Sequence, residues 1–477
     1  MSLTLYLSGV LHLSLEKEEL KSRDCRSNSP TYEESIRSYF GENVQLRPIC
    51  IIQPLTTQDT ATVLRILTTA SPEEPWLSAV RSGGYSLVVG ASDIEPGITI
   101  DLSMMDQTSY NASSHTVSIQ SGARWASVYE ALHNDAIMVP GSRSSAVGVG
   151  GFLLGGGESF YAAQVGLSCD SVLEYEVVLG SGEVIIVNKD SYPDLFRALK
   201  GGSNNFGIVT MFTLVSFPSS DIWGGTIVHD SSVIPQYMDV ATRFTDSLVD
   251  DPSAAWVGVM NYDSSSETTM MYSVLAYTKP VARPNAFRDF YQLPNITDTL
   301  RIRSVLDMTA EGNLPTGYRH VVHTGTYLNR NSVLAEATTI LAQTVRSANA
   351  VLPGKAFSIR LIVQPWVPLF WKDNEKHGGY VLCLERFDSN MLTKDARERL
   401  DQYAKKTGAY NEYIYLNYAA AGQSPLEGYG SENVAFLQRV ARKHDPAGVF
   451  QRLVPGGFKI SNRHSLNFDY EVFFACH

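Results

Sequence analysis

Two glycine-dense loops constrain this chain more than any other feature. The first, Arg81-Ser-Gly-Gly-Tyr-Ser86, runs on to Gly90; the second extends from Gly141 to Gly151 and continues into Leu154-Gly-Gly-Gly157. Such runs of glycine cost more backbone freedom on ordering than runs of any other residue and bring no side chain to a core. They permit close approach instead. Backbone without Cβ atoms can aim several N–H groups at one anion, such as a diphosphate. A single loop of this kind reads most simply as a tight turn or bulge. Two of them among short strand-like runs favour a ligand cradle.

Other nucleotide and hydrolase readings fail on spacing. After Gly148 and Gly150 the third glycine of GxGxxG is replaced by Leu153, and after Gly155 and Gly157 by Phe160. There is no GxxxxGK[ST]. Ser86, Ser159 and Ser168 have the first glycine of a GxSxG elbow but lack the second. The five cysteines never fall at zinc-site spacing and HExxH is absent, so no metal is expected.

Composition narrows the field. With 38 Lys and Arg against 49 Asp and Glu, the formal charge of −11 repels phosphate backbones, so nucleic acid is not an expected partner. No run reaches the ~18 apolar residues of a membrane span. Apolar residues make up 44% and charged residues 18%, material for a large core. At ~150 residues per domain, the 477 residues suggest about three units or two large ones. We read an N-terminal extension at 1–30, a glycine-rich α+β domain at 31–220, a β-rich domain at 221–424 and a C-terminal segment at 425–477. Helices are expected over Asp59–Ala70, Arg124–His133, Tyr192–Lys200, Arg283–Tyr291, Ser332–Asn349 and Glu432–Lys443, with a hairpin at Gly180–Gly182 and a buried strand over Asn205–Phe217. Leu3–Leu15 reads either as a weak signal core or as a strand, and the sequons at Asn111 and Asn295 fit a secretory route. Secreted or endomembrane and cytoplasmic locations both stay open.

The ordered set of Arg81–Ser86, Val147–Gly151, Leu154–Gly157, Asp194 within Tyr192–Gly202, Asn204–Thr210, Tyr415-Leu-Asn417-Tyr418 and Asp445–Phe450 resembles the berberine-bridge-enzyme-like FAD-linked oxidoreductases, fungal members above all. The resemblance spans roughly Tyr32 to Lys459. It implies an α+β, two-domain FAD-binding fold of the vanillyl-alcohol-oxidase/p-cresol methylhydroxylase type, with an antiparallel-sheet substrate domain and a C-terminal segment returning to the FAD domain. Arg81, Ser82, Gly83, Gly84, Tyr85 and Ser86, with Gly141, Ser144, Val147, Gly148, Gly150 and Gly151, would cradle the cofactor. Asn205, Gly207, Ile208 and Thr210 would line its adenine side. Tyr415 and Asn417 would face the flavin ring, Tyr415 as the base.

Three departures from the family qualify this picture. Its members usually carry a flavin-linked histidine where this chain has Tyr85, and some add a cysteinyl link where Ser144 stands. FAD is therefore expected to bind without a covalent link, weakly enough that it is lost in one reading. Glu158 follows the three glycines where relatives place an apolar or aromatic residue; it reads as a desolvated acid–base group or as a partner for Arg143. On the run Gly378–Phe387, Glu385 is a candidate to face the substrate. The resemblance further suggests a Cys25–Cys50 disulfide. The leading expectation is an oxidase acting on a small hydrophobic specialised metabolite. The alternative is a flavin-independent isomerase or cyclase using Glu158, Tyr85 or Tyr415 as acids, and a noncatalytic binder is the weakest reading. The oligomeric state is not legible.

Overall fold

The computed structural model describes residues 29–69, 76–372, 374–379, 381–382, 387–392 and 394–460, with 383–393 free of any side-chain description. Cys25, Glu385, the Leu3–Leu15 run and the last seventeen residues lie outside the described set. Cys50 is disulfide-bonded.

The first glycine loop grows out of a small parallel sheet. Ile98–Asp101 lies between Cys50–Ile52 and Ser78–Arg81, and the helix Thr57–Thr69 makes the crossover. Cys50–Ile52 and Ile98–Asp101 are buried at every residue, as parallel strands covered on both faces should be. The helix starts on a reciprocal cap: Thr56 Oγ1 accepts from the Asp59 N–H at 3.0 Å, and the Asp59 carboxylate accepts from the Thr56 N–H at 3.0 Å.

Beside it stands a five-stranded antiparallel sheet in the order Thr108–Asn111, Thr116–Gln120, Ile208–Val215, Val172–Val178, Val184–Asn188. The expected hairpin turns at Gly182, whose φ of 78° suits glycine. The strand expected over Asn205–Phe217 begins only at Ile208, because Asn205 turns its amide to another segment.

The largest sheet is antiparallel and has nine strands. From Thr297–Asp298 the order runs through Ile222–Asp230, Thr268–Tyr277, Ala254–Asp263, Ser358–Trp366, Phe387–Leu392 and His323–Tyr327 to Tyr410–Asn411, with Arg301–Arg303 also on Ile222–Asp230. Ala254–Asp263 alternates buried and half-buried without a break, so one face is core. Helices Ile234–Ser247, Asn331–Val351 and Lys394–Thr407 pack together there. The helix expected at Arg283–Tyr291 is shortened to Arg288–Gln292, after a single turn of 3₁₀-helix at Asn285–Phe287 behind Pro284.

The chain then returns to the first sheet. Asp445 caps Val449–Arg452, accepting from the Val449 and Phe450 N–H groups at 2.9 and 2.8 Å. Val449, Phe450 and Val454 fill the core made by Ile98, Ile100 and Val178.

One buried carboxyl makes the fold pH-sensitive. Asp170 accepts from the Leu167 N–H at 3.0 Å, but its Oδ1 is buried without a partner among the described residues. Burial pushes its pKa up to about 7, with Lys200 pulling it back. A raised folded pKa means that the native state binds the extra proton, so this contribution to stability is lost as pH rises from about 4 to about 7. Asp170→Asn should therefore stabilise the protein at about pH 8, by on the order of 2–4 kcal/mol, and change little at about pH 4. Urea unfolding at both pH values checks this, and an equal effect at the two would contradict it.

Candidate active site and cofactor cleft

The two glycine loops touch backbone to backbone. A Cβ on Gly83 would lie 2.5 Å from Gly148 Cα and 2.6 Å from its nitrogen, and one on Gly148 would lie 2.6 Å from Gly83 Cα. Neither neighbour can move as a side chain would. Gly148→Ala should therefore cost more than about 4 kcal/mol or leave the protein insoluble, whereas Gly151→Ala, whose Cβ meets open space, should be tolerated. Soluble yield and thermal unfolding compare the two.

One hydroxyl gathers the surrounding segments. Ser82 Oγ donates to the Ser121 carbonyl at 2.6 Å and accepts from the Gly150 N–H at 3.1 Å. Ser121 in turn donates its N–H to the Thr210 carbonyl at 3.0 Å and its hydroxyl to the Val209 carbonyl. Within this frame the N–H groups of Gly83, Gly84, Tyr85 and Ser86 donate to no protein atom among the described residues. Gly84 is left-handed at φ 64°. Successive free amides around such a residue form an anion-binding nest.

The side chains of several expected cradle residues, and the packing of the rest, also serve the scaffold. Arg81 is buried, donates to the Ser35 carbonyl and hydroxyl at 2.9 Å and to Ser38 Oγ at 2.6 Å, and lies 3.7 Å from Asp101. Asn205 bonds the Gly202 and Phe458 carbonyls at 2.8 Å and thereby staples the C-terminal segment. Thr210 Oγ1 donates to Glu176 at 2.7 Å, and Ile208 pairs with Val178 in the sheet. Gly207 packs against Val177 and Gly141 against Trp125. Val147 passes its carbonyl to the Trp125 N–H at 3.0 Å.

Where the second loop meets the large sheet there is a buried polar network. Arg143 binds Glu158 through both terminal nitrogens, at 2.9 and 3.0 Å, and Nη2 also donates to Gln364 Oε1 at 2.6 Å and to the Tyr418 hydroxyl oxygen at 2.7 Å. Gln364 Nε2 completes the ring by donating to Glu158 at 2.7 Å. Glu158 is thus the partner of Arg143. Although burial pushes its pKa up to about 7, Arg143 and Gln364 hold it as a fully bonded group, not a free acid.

The two neighbouring phenols differ. Tyr415 accepts one hydrogen bond, from Asn417 Nδ2 at 3.0 Å, and burial holds its pKa well above the phenol range. Tyr418 is also raised by burial, but Arg143 draws it back. Asn417, in the 3₁₀ turn Leu416–Tyr418, donates to the Phe152 carbonyl at 3.0 Å, and its Cγ would lie 2.7 Å from a Cβ on Gly155, so it locks that turn to the glycine-rich helix Val149–Leu154. Trp366 lies 4.9 Å from Tyr415, and Tyr418 meets Tyr415 edge-on at 4.8 Å. Tyr418 belongs to the sequence motif but carries no expected role there, and Gln364 stands outside every motif. The signal for Gln364 was a polar residue inside an apolar strand run.

Comparison with known proteins decides the cofactor. A family described as FAD binding domain matches residues 48–188. The FAD-dependent monooxygenase sdcF of Emericella nidulans is 51% identical over 454 residues, covering 91% of this chain and 94% of that one. The chain belongs to the berberine-bridge-enzyme-like FAD-linked oxidoreductases. Among solved structures, 6-hydroxy-D-nicotine oxidase from Arthrobacter nicotinovorans shares the fold at a TM-score of 0.75 and 19% identity, covering 90% of this chain and 96% of that one. Glucooligosaccharide oxidase from Acremonium strictum, with its 6-S-cysteinyl, 8α-N1-histidyl FAD, gives a TM-score of 0.70 at 16% identity, covering 94% and 98%.

For a family member these amides fit the diphosphate of FAD: four successive N–H groups, from Gly83 to Ser86, are free among the described residues around the left-handed Gly84. Tyr85 and Ser144 are brought together: burial raises the Tyr85 pKa, and the nearby Ser144 hydroxyl lowers it in part. The Tyr85 ring stacks on Phe40 at 4.1 Å, and Phe40 stacks on His320 at 4.6 Å. Ser144 Oγ also donates to Asn313 at 2.8 Å.

Proposed function

We propose that this FAD-linked oxidoreductase is an oxidase for a small hydrophobic specialised metabolite, that it holds FAD without a covalent link, and that Tyr418 receives the substrate's proton. The observation that carries the reading is the 2.7 Å hydrogen bond from Arg143 to the Tyr418 oxygen. A donor aimed at a phenol oxygen favours its ionised form, and a phenolate is a competent base. FAD, held by the Gly83–Ser86 amides, would supply the two-electron hydride acceptor, with dioxygen as the final oxidant and hydrogen peroxide as its product.

The residues of this chain do the rest. Tyr418 takes the proton, Arg143 and Gln364 stabilise the charged oxygen, and Glu158 fixes Arg143 in place. Asn417 holds the aromatic wall of Tyr415, Tyr418 and Trp366 against the glycine-rich helix, which supports an apolar, ring-bearing substrate. Tyr85 and Ser144 stand close together and offer neither imidazole nor thiol to the cofactor, which supports a noncovalent flavin. The isomerase or cyclase alternative is not favoured, since its chief acid, Glu158, is spent on Arg143.

A second reading follows from the relative named a monooxygenase, in which an oxygen atom enters the product. Turnover under isotopically labelled dioxygen separates the two. Label confined to peroxide, formed in proportion to the oxygen consumed, is the result expected here. Label in the organic product would overturn the oxidase reading.

A further inference from the structure

We infer that Arg124 is the counter-charge for the cofactor's diphosphate and that it anchors FAD in a cleft where Tyr85 and Ser144 form no covalent link. The inference rests on the reading that FAD occupies the glycine cleft without a tether.

Arg124 sits between the strand Thr116–Gln120 and the helix Trp125–His133, at the point where the backbone bridges to Gly148 of the second loop. Its Nη1 donates to the Ala146 carbonyl and would lie 3.5 Å from a Cβ on Gly83. One guanidinium therefore borders both loops and the row of free amides that starts at Gly83. Other buried guanidinium groups in this protein face carboxylates: Arg143 has Glu158 at 2.9 Å, Arg303 has Asp307 at 2.9 Å, and Arg81 has Asp101 at 3.7 Å. Among the described residues no carboxylate lies within 4.0 Å of Arg124. Burial and the nearby Arg81 pull its pKa down, and Asp101 and Tyr85 restore only part of that, so the net shift is downward. The charge is partly desolvated in a chain whose net charge of −11 repels anions at long range. A dianionic diphosphate in the nest relieves both conditions, through charge-assisted hydrogen bonds to a planar fork.

The test is a fluorescence titration of flavin-stripped, full-length protein with FAD and riboflavin, and with ADP as competitor. Arg124→Met should weaken FAD and ADP by about 10- to 100-fold, leave riboflavin within about twofold, and flatten the salt dependence of FAD binding. Arg124→Lys, which keeps the charge, should recover part of the loss, and thermal unfolding reports whether each variant folds. Equal weakening of FAD and riboflavin, or unchanged FAD affinity, would overturn the inference while leaving the cofactor reading intact. Wild-type protein that takes up neither FAD nor ADP would remove both.

Discussion

Tyr418→Phe should lower kcat by about 10²- to 10⁴-fold, the usual worth of a positioned proton acceptor, with little change in KM or flavin content. The phenyl ring keeps the edge-on contact with Tyr415 at 4.8 Å, and Arg143 keeps Glu158 and Gln364, so folding should not suffer. Tyr415→Phe loses only the bond from Asn417 and should cost about tenfold or less. The pH profile carries the same logic. A base works when deprotonated and burial raises Tyr418, so activity should climb with pH into the alkaline range. Gln364→Leu removes a neighbour that also lowers Tyr418 and should push that limb further up. Steady-state kinetics across pH for the four proteins decides the matter. A collapse in Tyr415→Phe with Tyr418→Phe spared would exchange the two roles.

Arg143→Met should be strongly destabilising. It leaves the Glu158 carboxyl, whose side chain is 3% exposed, without either guanidinium bond. Removing one partner of a buried pair typically costs about 3–5 kcal/mol, because the other charge stays desolvated. Arg143→Met with Glu158→Met should regain most of that loss, since an apolar pair of similar volume leaves no charge behind. Activity should not return in the double variant, because Tyr418 would still lack its donor. Chemical denaturation of both single variants and the double variant, with turnover measured in parallel, separates the stabilising role from the activating one. Turnover restored by the double variant would show that Arg143 acts only through folding.

These expectations also show which parts of the site a sequence can reveal. The glycine loops were legible because their spacing is local, and Gly83 against Gly148 confirms that the missing side chains make room for backbone. Most helices were legible for the same reason, with ends displaced by a residue or two where a cap decides, as at Thr56. Side-chain destinations were not. Arg81 and Asn205 stand in the loops the motifs mark, yet their polar groups turn to Ser35 and Phe458, so position in a motif does not say whether backbone or side chain meets the ligand. The choice between Tyr415 and Tyr418 depends on a guanidinium 275 residues away in sequence, and Gln364 joins Arg143 across 221. No local pattern encodes such a meeting. Arg124 escaped notice because its significance lies in the carboxylate it lacks.

The most direct test of the account is to precipitate the purified holoprotein with acid and follow the visible flavin absorbance. Intact FAD in the supernatant over a colourless pellet is the predicted result, given that Tyr85 and Ser144 stand where the family's links form and neither residue is histidine or cysteine. Yellow colour retained on the washed polypeptide would show a covalent flavin and contradict the account.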